Sequence, residues 1–491
     1  MLQANAEYQD LNEEDSASDS DLPGSADEPE HTDSGNWWTR PCGGREVLAL
    51  ALPLVLSTVS WTLMNFVDRT FLTWFSTDTM AAAMPAGSIS FTVICLPMGI
   101  ASYVGTFIAQ YNGSKQFGQM GKTVWQGVWI GVGCIPVFLV LREFAPMLFS
   151  RVGHPADIAA YESAYFRTLM FGAASVVIAS ALSGYFSGRG ETIVIMWVAA
   201  FEAVLNMVLD YLFIFDQLGL PFDGIVGAGV ATVTSSWTKT LILLYLLWNR
   251  DKTGEFGIRS GITFDWSRFR RLIYFGGPNG LQMFVEMMAF SAYLLLVGQL
   301  GSMELAATTL AFNVNQLAFV PMLGLGFAVS ILVGNEIGKK QPAMAARATW
   351  TTLVMALTYS GVMALLYWAV PDAFLVFHEW GAEEAEFQEV RGITIVLLRF
   401  VAAYCVLDAV AIVFASAIKG AGDTRFVLAA AVLLSPLPVL LGWIGITYWE
   451  WELNQFWLLV TFWVTAQSII YASRFWQGKW RKMTVIESLE S

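Results

Sequence analysis

The sequence has few cysteines and histidines, and it lacks the motifs that most enzyme and ATPase sites need. Its four cysteines form no Cys-x-x-Cys pair and its three histidines fall outside the apolar runs. Neither a disulfide framework nor a zinc site is therefore indicated. There is no Walker A loop, no HExxH motif and no nucleophile–histidine pairing, which disfavours a primary ATPase and a membrane enzyme. We expect no cofactor and no nucleic-acid partner.

Charge is also scarce, and much of it lies at one end. Residues 1–36 contain eleven acidic residues and no lysine or arginine, and subtracting these eleven from the net charge of −13 leaves −2 for the rest. A segment this poor in apolar side chains cannot offset the entropy lost on ordering. It also lacks the basic start and apolar core of a signal peptide. We expect residues 1–40 to be a disordered acidic tail.

Hydrophobic sequence is abundant: 56% of the residues are hydrophobic and the mean hydropathy is +0.55. Twelve apolar runs reach the ~20 residues needed to cross the hydrocarbon core of a bilayer. None alternates as a barrel strand would, so each predicts a transmembrane helix and the chain an all-α polytopic membrane protein. The predicted spans are 46–74, 84–110, 122–141, 158–186, 192–215, 226–248, 271–299, 304–334, 344–369, 390–418, 425–446 and 454–474.

The basic residues predict the orientation of these helices. If the N-terminus is cytoplasmic, twenty basic residues flank the helices on the inner side and only Arg142, Arg151 and Arg391 lie on the outer side. This bias is strong under the positive-inside rule. We therefore expect a multi-pass protein of the plasma (bacterial inner) membrane with both termini in the cytoplasm.

The two halves of the chain repeat each other. The interval from Pro53 to Pro278 equals the interval from Gly113 to Gly338, and Gly190 matches Gly422 at a slightly longer one. Each half holds six helices, so the halves are parallel repeats that face each other across a central cavity. The predicted divisions are an N-lobe (41–250), a cytoplasmic linker (251–270), a C-lobe (271–475) and a cytoplasmic C-terminal tail (476–491).

Polar residues in the apolar run 201–215 suggest a site in the N-lobe. Glu202, Asn206 and Asp210 are spaced four apart, so they share one helix face. A carboxylate that faces lipid costs several kcal/mol or more, so such residues normally face a bundle interior or a watery cavity. The alternatives are a polar packing seam and, for Glu202, a position near enough to the helix end to reach the headgroups. Asp68 in the first helix completes this N-lobe polar cluster.

The C-lobe has its own intramembrane acids, Glu286 and Asp408. Neither follows the repeat: Glu286 aligns with Trp61 and Asp408 with Val176. Aromatic and methionine side chains around Glu286 suit varied flat cations through cation–π contacts and adaptable packing. The candidate substrate residues are Met283, Phe284, Met287, Met288, Phe290 and Tyr293. We also expect Pro53, Pro278, Pro436 and Pro438 to interrupt their helices.

Several stretches resemble the multidrug and toxic compound extrusion (MATE) transporters. They are FVDRTFL, NMVLDYLFIF with GIVGAGVATVTSSW, PNGLQMFVEMMAF, GRGET and KGAGDT, and the similarity covers residues ~45–475. The Glu286 and Asp408 combination is similar to the NorM branch, which implies Na+- or H+-coupled export of organic cations. Asp68, Asn206 and Asp210 would then match the family's N-lobe cluster. Arg69 and Glu202 depart from the pattern and change the charge beside that cluster.

The resemblance and the acids together predict a secondary active antiporter of organic cations or amphipathic drugs, acting as a monomer by alternating access. Na+ prefers several oxygen ligands, and a desolvated carboxylate can carry a proton instead. We predict that Glu286 and Asp408 hold the coupling ion and favour Na+ over H+. The alternatives are a proton-coupled exporter that uses the N-lobe acids, a flippase for lipid-linked sugars of related architecture, and a membrane enzyme or channel. A flippase would need a basic cavity for phosphates, whereas the charges within these spans are mainly acidic.

Overall fold

The computed structural model describes residues 36–151, 155–220, 222, 224–379 and 384–487, with side chains for all of these except 376–379 and 384–387. Met1–Arg40 and Pro41–Ser491 are separate units. In the first unit, Asn36 Oδ1 accepts hydrogen bonds from the backbone N–H groups of Trp38 and Thr39, both at 3.1 Å. The rest of the predicted acidic tail lies outside the described residues.

The described residues of the second unit are almost wholly helical. Twelve of the helices, counting two pairs of consecutive helices as single spans, are long and apolar enough to cross a membrane, which confirms the all-α membrane fold. The helices are α1 (Gly44–Phe75), α2 (Thr77–Ser102), α3 (Val104–Gly113), α4 (Gly118–Glu143), α5 (Ala145–Phe149), α6 (Ala156–Gly188), α7 (Thr192–Ile214), α8 (Gly224–Arg250), α9 (Trp266–Gly298), α10 (Ser302–Gly338), α11 (Pro342–Ala369), α12 (Asp372–Glu379), α13 (Glu384–Ala421), α14 (Thr424–Leu434), α15 (Pro436–Trp449) and α16 (Leu453–Trp476).

The largest differences from the predicted spans lie at the starts of α2, α13 and α9, and side-chain caps explain those of α2 and α9. α2 begins at Thr77 rather than at 84 because the extended Ser76 accepts a hydrogen bond from the N–H of Asp78. α9 begins at Trp266 rather than at 271 because Asp265 accepts from the N–H groups of Ser267 and Arg268. Such caps satisfy N–H groups that have no partner within the helix, so they set where a helix can start.

Of the four prolines expected to interrupt helices, only Pro436 coincides with a break, since Pro438 lies within the first turn of α15. α1 continues through Pro53 and α9 continues through Pro278. The chain does break at Ser435, between α14 and α15, where Pro436 occupies the first position of the new helix. Proline has no N–H to donate and its ring clashes within a preceding turn, so a new helix beginning there satisfies its geometry.

The internal repeat is visible in the backbone. Lys115 and Lys340, which are equivalent positions of the two halves, both adopt the left-handed conformation, with φ of 59° and 60°. Each follows the end of an equivalent helix, α3 in the N-lobe and α10 in the C-lobe. A non-glycine residue rarely has positive φ. The shared conformation therefore shows that the two halves end these helices in the same way.

Contacts between the halves are reciprocal, as a two-fold axis between parallel repeats requires. A Cβ on Gly113 would collide with the carbonyl oxygen of Asn335, and one on Gly338 with that of Gln110. The same exchange occurs farther along the helices, where Gly99 packs on Gly280 and Gly324 packs on Val55. In both cases the second contact joins the repeat equivalents of the residues in the first. Glycines permit these close helix approaches because they carry no side chain.

The lobes meet on one side of the bundle and separate on the other. We call the side on which α1 begins and α16 ends the basic side. Asn279 donates to the carbonyl of Gly99 at 2.7 Å, and the hydroxyl of Tyr103 donates to that of Lys419 at 2.7 Å. Among the described residues, the hydrogen bonds and glycine contacts that join α1–α8 to α9–α16 lie at or below the middle of the helices, toward the basic side. From this distribution of contacts we infer that the cleft between the lobes widens toward the opposite side.

The connector between the lobes is folded against the N-lobe. Asp251 is fully buried, and its carboxylate accepts from the N–H groups of Phe256 and Ile258 at 2.9 and 2.7 Å. The indole N–H groups of Trp125 and Trp129 in α4 donate to the carbonyls of Ile258 and Ile262. Residues 251–264 thus form an ordered segment that packs against α4.

The chain continues past α16 in a segment that joins both lobes, the C-terminal strap (residues 478–487). Trp480 is fully buried and its ring stacks on Phe475 at 4.8 Å. Beyond it, the side-chain oxygen of Gln110 in α3 accepts from Thr484 Oγ1 at 2.9 Å and from the N–H of Val485 at 2.8 Å. Val485 belongs to the hydrophobic core of the N-lobe. The strap thus ties the C-lobe to α3 on the basic side.

Candidate functional site

Three helices of the N-lobe build the site around Asp68, Asn206 and Asp210. Asp68 projects from α1 and the other two from α7, and their exposed fractions are 8%, 0% and 0%. The amide of Asn206 donates weakly to Asp210 Oδ1, at 3.5 Å. Tyr165 of α6, a buried residue that sequence reasoning missed, lies close enough to Asp68 for its hydroxyl to interact with that carboxylate. The structure therefore brings the predicted cluster together in the interior of the lobe.

One oxygen on each member of this trio has no hydrogen-bond donor. They are Asp68 Oδ1, Asn206 Oδ1 and Asp210 Oδ2, and all three are buried. A buried acceptor without a partner is costly, and a cluster of such atoms needs an explanation. Carboxylate and amide oxygens are the ligands that hard cations prefer. The trio therefore offers buried oxygen ligands of the type that a small cation prefers.

The two departures from the family pattern have different surroundings. Glu202 is 9% exposed, and its Oε2 lies 2.8 Å from Nζ of Lys239 in α8. Lys239 was missed because a single lysine in an apolar run gives no pattern of its own. Arg69 is exposed, and its positive charge acts on neighbouring Asp68. Glu202 is thus neutralised within the lobe, and it does not add a free negative charge to the trio.

The C-lobe acids also lie near each other, but in a more compensated setting. Glu286 of α9 and Asp408 of α13 are close enough for their charges to interact. Glu286 Oε1 accepts from the amide of Gln282 at 3.0 Å, and the ammonium of Lys419 acts on the same carboxylate. Both acids are partly exposed, unlike the N-lobe trio. From the sequence, Lys419 is interpreted only as a basic residue at the end of a helix. Its closeness to Glu286 is visible in the structure.

The candidate substrate residues of α9 divide between three helix faces. Met283, Met287 and Phe290 follow one stripe, at a spacing of four and three. Met283 lies against Gly99 of the N-lobe, so this stripe runs from the contact between the lobes toward the open half of the cleft. Tyr293 shares the face of Glu286 and is buried against Phe456. Phe284 and Met288 point away from Glu286, about half a helical turn around.

The opposite wall of the cleft differs in chemistry. The repeat places Thr58, Thr62 and Asn65 of α1 where α9 has Met283, Met287 and Phe290. Thr58 and Thr62 are satisfied by carbonyls of their own helix, as is the amide of Asn65. The stripe on α1 is therefore polar, whereas the stripe on α9 is polarisable and aromatic. Among the described residues, no group of three or more His, Cys, Asp or Glu side chains could hold a metal ion.

Comparisons with known proteins agree with this architecture. The family model described as MatE matches residues 53–212 and 278–444, one segment in each lobe. The multidrug resistance protein MdtK of Edwardsiella ictaluri is 26% identical over 387 residues, which cover 78% of this chain and 82% of that protein.

Solved structures show the same fold at lower identity. A MOP superfamily transporter from Pyrococcus furiosus superposes with a TM-score of 0.80 at 20% identity, over 89% of this chain and 97% of that one. A multidrug resistance MATE family transporter in an outward-facing conformation superposes with a TM-score of 0.79 at 19% identity, over 89% and 96%. With the family model matched across both lobes, the chain belongs to the MatE family of membrane transporters and is not an enzyme.

Proposed function

We propose that this protein is a Na+-coupled antiporter that exports organic cations and amphipathic drugs, and that the N-lobe trio binds the incoming Na+. The observation that carries the proposal is the set of three buried oxygens without donors on Asp68, Asn206 and Asp210. A proton shared between two of these atoms would leave the third unpaired. One Na+ can accept ligation from all three, which is why we favour it over H+.

Ion occupancy would then be coupled to the conformation of the lobe. Two buried carboxylates repel each other strongly in a low dielectric, so the empty trio is costly and the occupied trio is not. A ligand shifts a conformational equilibrium by the difference in its affinity for the two states. Asp68 lies on α1, whose basic-side end packs with the C-lobe core through Val47 and Ala51. A displacement of α1 caused by Na+ binding at Asp68 would therefore reach the contact between the lobes.

Glu286 and Asp408 stay a second candidate for the coupling site, as the sequence predicts. Their mutual charge interaction favours this candidate, since two carboxylates that share a site attract one cation. We rank it below the N-lobe because Gln282 and Lys419 already compensate Glu286. This pair is better suited to attract a positively charged substrate that enters the cleft.

The walls of the cleft support an amphipathic cationic substrate. Met283, Met287 and Phe290 offer polarisable and aromatic surface on one side, and the threonines of α1 offer hydroxyls on the other. A flippase for lipid-linked sugars would instead need basic residues for phosphates. Each chain contains both lobes and a complete cleft, so we propose that it works as a monomer.

The orientation follows from the basic residues. We propose that the basic side faces the cytoplasm of a bacterial cell, that both termini lie there, and that the protein resides in the inner membrane. The cleft then opens outward in this conformation. An outward-open antiporter is in the state in which it releases drug and takes up the coupling ion from outside.

Transport in proteoliposomes tests the proposal. Efflux of a fluorescent organic cation driven by an inward Na+ gradient should be lost in Asp210→Asn and Asp68→Asn. The matched control is Asp157→Asn, which changes an exposed acid at the start of α6 and should transport as the parent does. Glu286→Gln and Asp408→Asn should keep their Na+ dependence while drug affinity falls. Equal Na+ dependence in Asp210→Asn and the parent would reject the N-lobe site. Loss of Na+ dependence only in the C-lobe variants would favour the second candidate, and transport driven by a pH gradient alone would favour protons.

A further inference from the structure

An ion pair lies inside the N-lobe, one helical turn from the cation trio. Nζ of Lys239 in α8 is 2.8 Å from Oε2 of Glu202 in α7, and the side chains are 24% and 11% exposed. Glu202 lies well inside α7, which starts at Thr192. At about 1.5 Å per residue it lies ~15 Å from that end of the helix, near the middle of a bilayer. This depth argues against a simple headgroup contact for Glu202.

Stability gives a poor reason for a charged pair at this depth. Removing two charges from water costs free energy that their attraction often fails to recover, and well-packed apolar residues of similar volume do as well or better. Ionisable residues within transmembrane helices are rare and normally serve transport. The presence of this ion pair therefore has to be explained by the groups around it. The nearest polar group along the same face of α7 is Asn206 of the trio.

We propose that Lys239 is a positioning residue that sets the charge of the N-lobe cation site by neutralising Glu202. This inference rests on the proposed function, because it concerns the Na+ held by the trio. With Lys239 in place, the negative charges of the trio come from Asp68 and Asp210, and Tyr165 and Arg69 are further groups that act on Asp68. Without it, Glu202 becomes a third negative charge on the helix face that carries the site.

The size of the effect follows from distance. Asp210 and Glu202 lie two helical turns apart along one face of α7, which corresponds to about 12 Å. At an effective dielectric constant of about 20, one unit charge at that distance changes a cation's binding constant about tenfold. A transporter has to release its ion as well as bind it, so a site made tenfold tighter would slow turnover. Lys239 thus keeps Na+ affinity in a range that permits release.

Binding of radiolabelled Na+ to the purified full-length protein at fixed pH tests this inference. Lys239→Met should bind Na+ about tenfold more tightly, or bind an additional ion, and should turn over more slowly in proteoliposomes. Glu202→Gln leaves the ammonium unpaired and should bind about tenfold more weakly. The double variant removes both charges and should return within about threefold of the parent, as should Lys239→Arg alone. Unchanged affinity in both single variants would overturn the inference, as would a double variant no closer to the parent than either.

Asp210→Asn separates failure of this inference from failure of the proposed site. If Asp210→Asn binds Na+ as the parent does, the trio is not the Na+ site and both proposals fall. If Asp210→Asn loses binding while Lys239→Met and Glu202→Gln match the parent, only the role of Lys239 is wrong. If Lys239→Met fails to fold, Glu202→Gln and Lys239→Arg test the role of Lys239. Weaker Na+ binding by Glu202→Gln together with parental Na+ binding by Lys239→Arg supports the role, and any other result rejects it. A purely structural pair would lower thermal stability without opposite shifts in Na+ affinity.

Discussion

Four of the described buried carboxylates, those of Asp68, Glu202, Asp210 and Asp251, are held in three different ways. Asp251, outside the membrane, is surrounded by backbone N–H groups of its own loop. Glu202 is paired with the ammonium of Lys239. Asp68 and Asp210 each keep one oxygen without a donor. A carboxylate whose acceptor sites are filled can support structure, whereas one with an open acceptor can still bind a ligand, and this difference is why we propose Asp68 and Asp210 as the ion ligands.

We predict that Asp251→Ala destabilises the protein without changing Na+ binding. The substitution leaves the N–H groups of Phe256, Ile258 and Arg259 without their acceptor, and each buried unsatisfied group costs about 1–3 kcal/mol. Water reaching the loop recovers part of this, so we expect a loss of about 3 kcal/mol in unfolding free energy. Denaturation in detergent measures it. Glu255→Ala in the same loop is exposed and should stay within about 0.5 kcal/mol, and an equal loss in both variants would contradict the assignment.

The sequence predicts which residues are acidic and intramembrane, but it does not give their partners. The four-residue spacing correctly places Glu202, Asn206 and Asp210 on one buried face, because helical periodicity is a local property. Lys239 and Tyr165 come from other helices, so their contacts with this face depend on packing that no spacing encodes. The same limit hid Lys419, which is on a different helix from Glu286 and far from it along the chain.

At the scale of elements, the crossing of α3 and α10 is where the lobes approach most closely. We predict that Gly113→Ala and Gly338→Ala weaken this crossing, because the new Cβ atoms would collide with the carbonyls of Asn335 and Gln110. Backbone shifts forced by such overpacking cost about 1–3 kcal/mol. Both variants should melt earlier than the parent and show greater accessibility on the basic side. Gly133→Ala and Gly361→Ala, where nothing lies within 4 Å, are the controls, and similar melting in all four would count against a tight crossing.

The C-terminal strap is an element that hydropathy could not predict, since it is short and lies outside the membrane. We predict that truncation after Gln477 raises the accessibility of the basic-side contact between the lobes. It removes the hydrogen bonds to Gln110 and the buried side chains of Trp480 and Val485. Alkylation of Ser114→Cys, at the end of α3, measures the change. Truncation after Glu487 is the control and should alkylate as the full chain does; equal rates for both truncations would show that the strap does not hold this contact.

The predicted helices agree with the structure because length and hydrophobicity decide which segments cross a membrane. What the sequence missed are elements that depend on tertiary contacts. The short helices α5 and α12 lie at the ends of membrane spans, and the connector is held by contacts with α4, Asp251 and Arg189. Pro53 shows the converse, since a residue expected to break a helix is accommodated within α1.

At the scale of the whole molecule, a nearly symmetric backbone carries an asymmetric set of side chains. Reciprocal glycine contacts relate the lobes by a two-fold axis, yet Asp68 aligns with Tyr293 and Glu286 with Trp61. Gln110 binds the strap, while its equivalent, Asn335, keeps a buried oxygen without a partner. Under the proposed function, this asymmetry of the polar groups is what gives the two lobes different ligands.

The orientation of this asymmetric bundle is the last property that the charge distribution predicts. Ser302 is the first residue of α10 and lies on the side opposite to the basic side, whereas Gln341 precedes α11 on the basic side. Both residues are exposed. Twenty basic residues flank the helices on one side and three on the other, so the positive-inside rule places Gln341 in the cytoplasm. A membrane-impermeant thiol reagent applied to intact cells should label Ser302→Cys and should label Gln341→Cys only after permeabilisation. A background in which the four native cysteines are replaced by serine gives the control. Labelling of Gln341→Cys in intact cells, with Ser302→Cys protected, would invert the topology and with it the direction of transport that we propose.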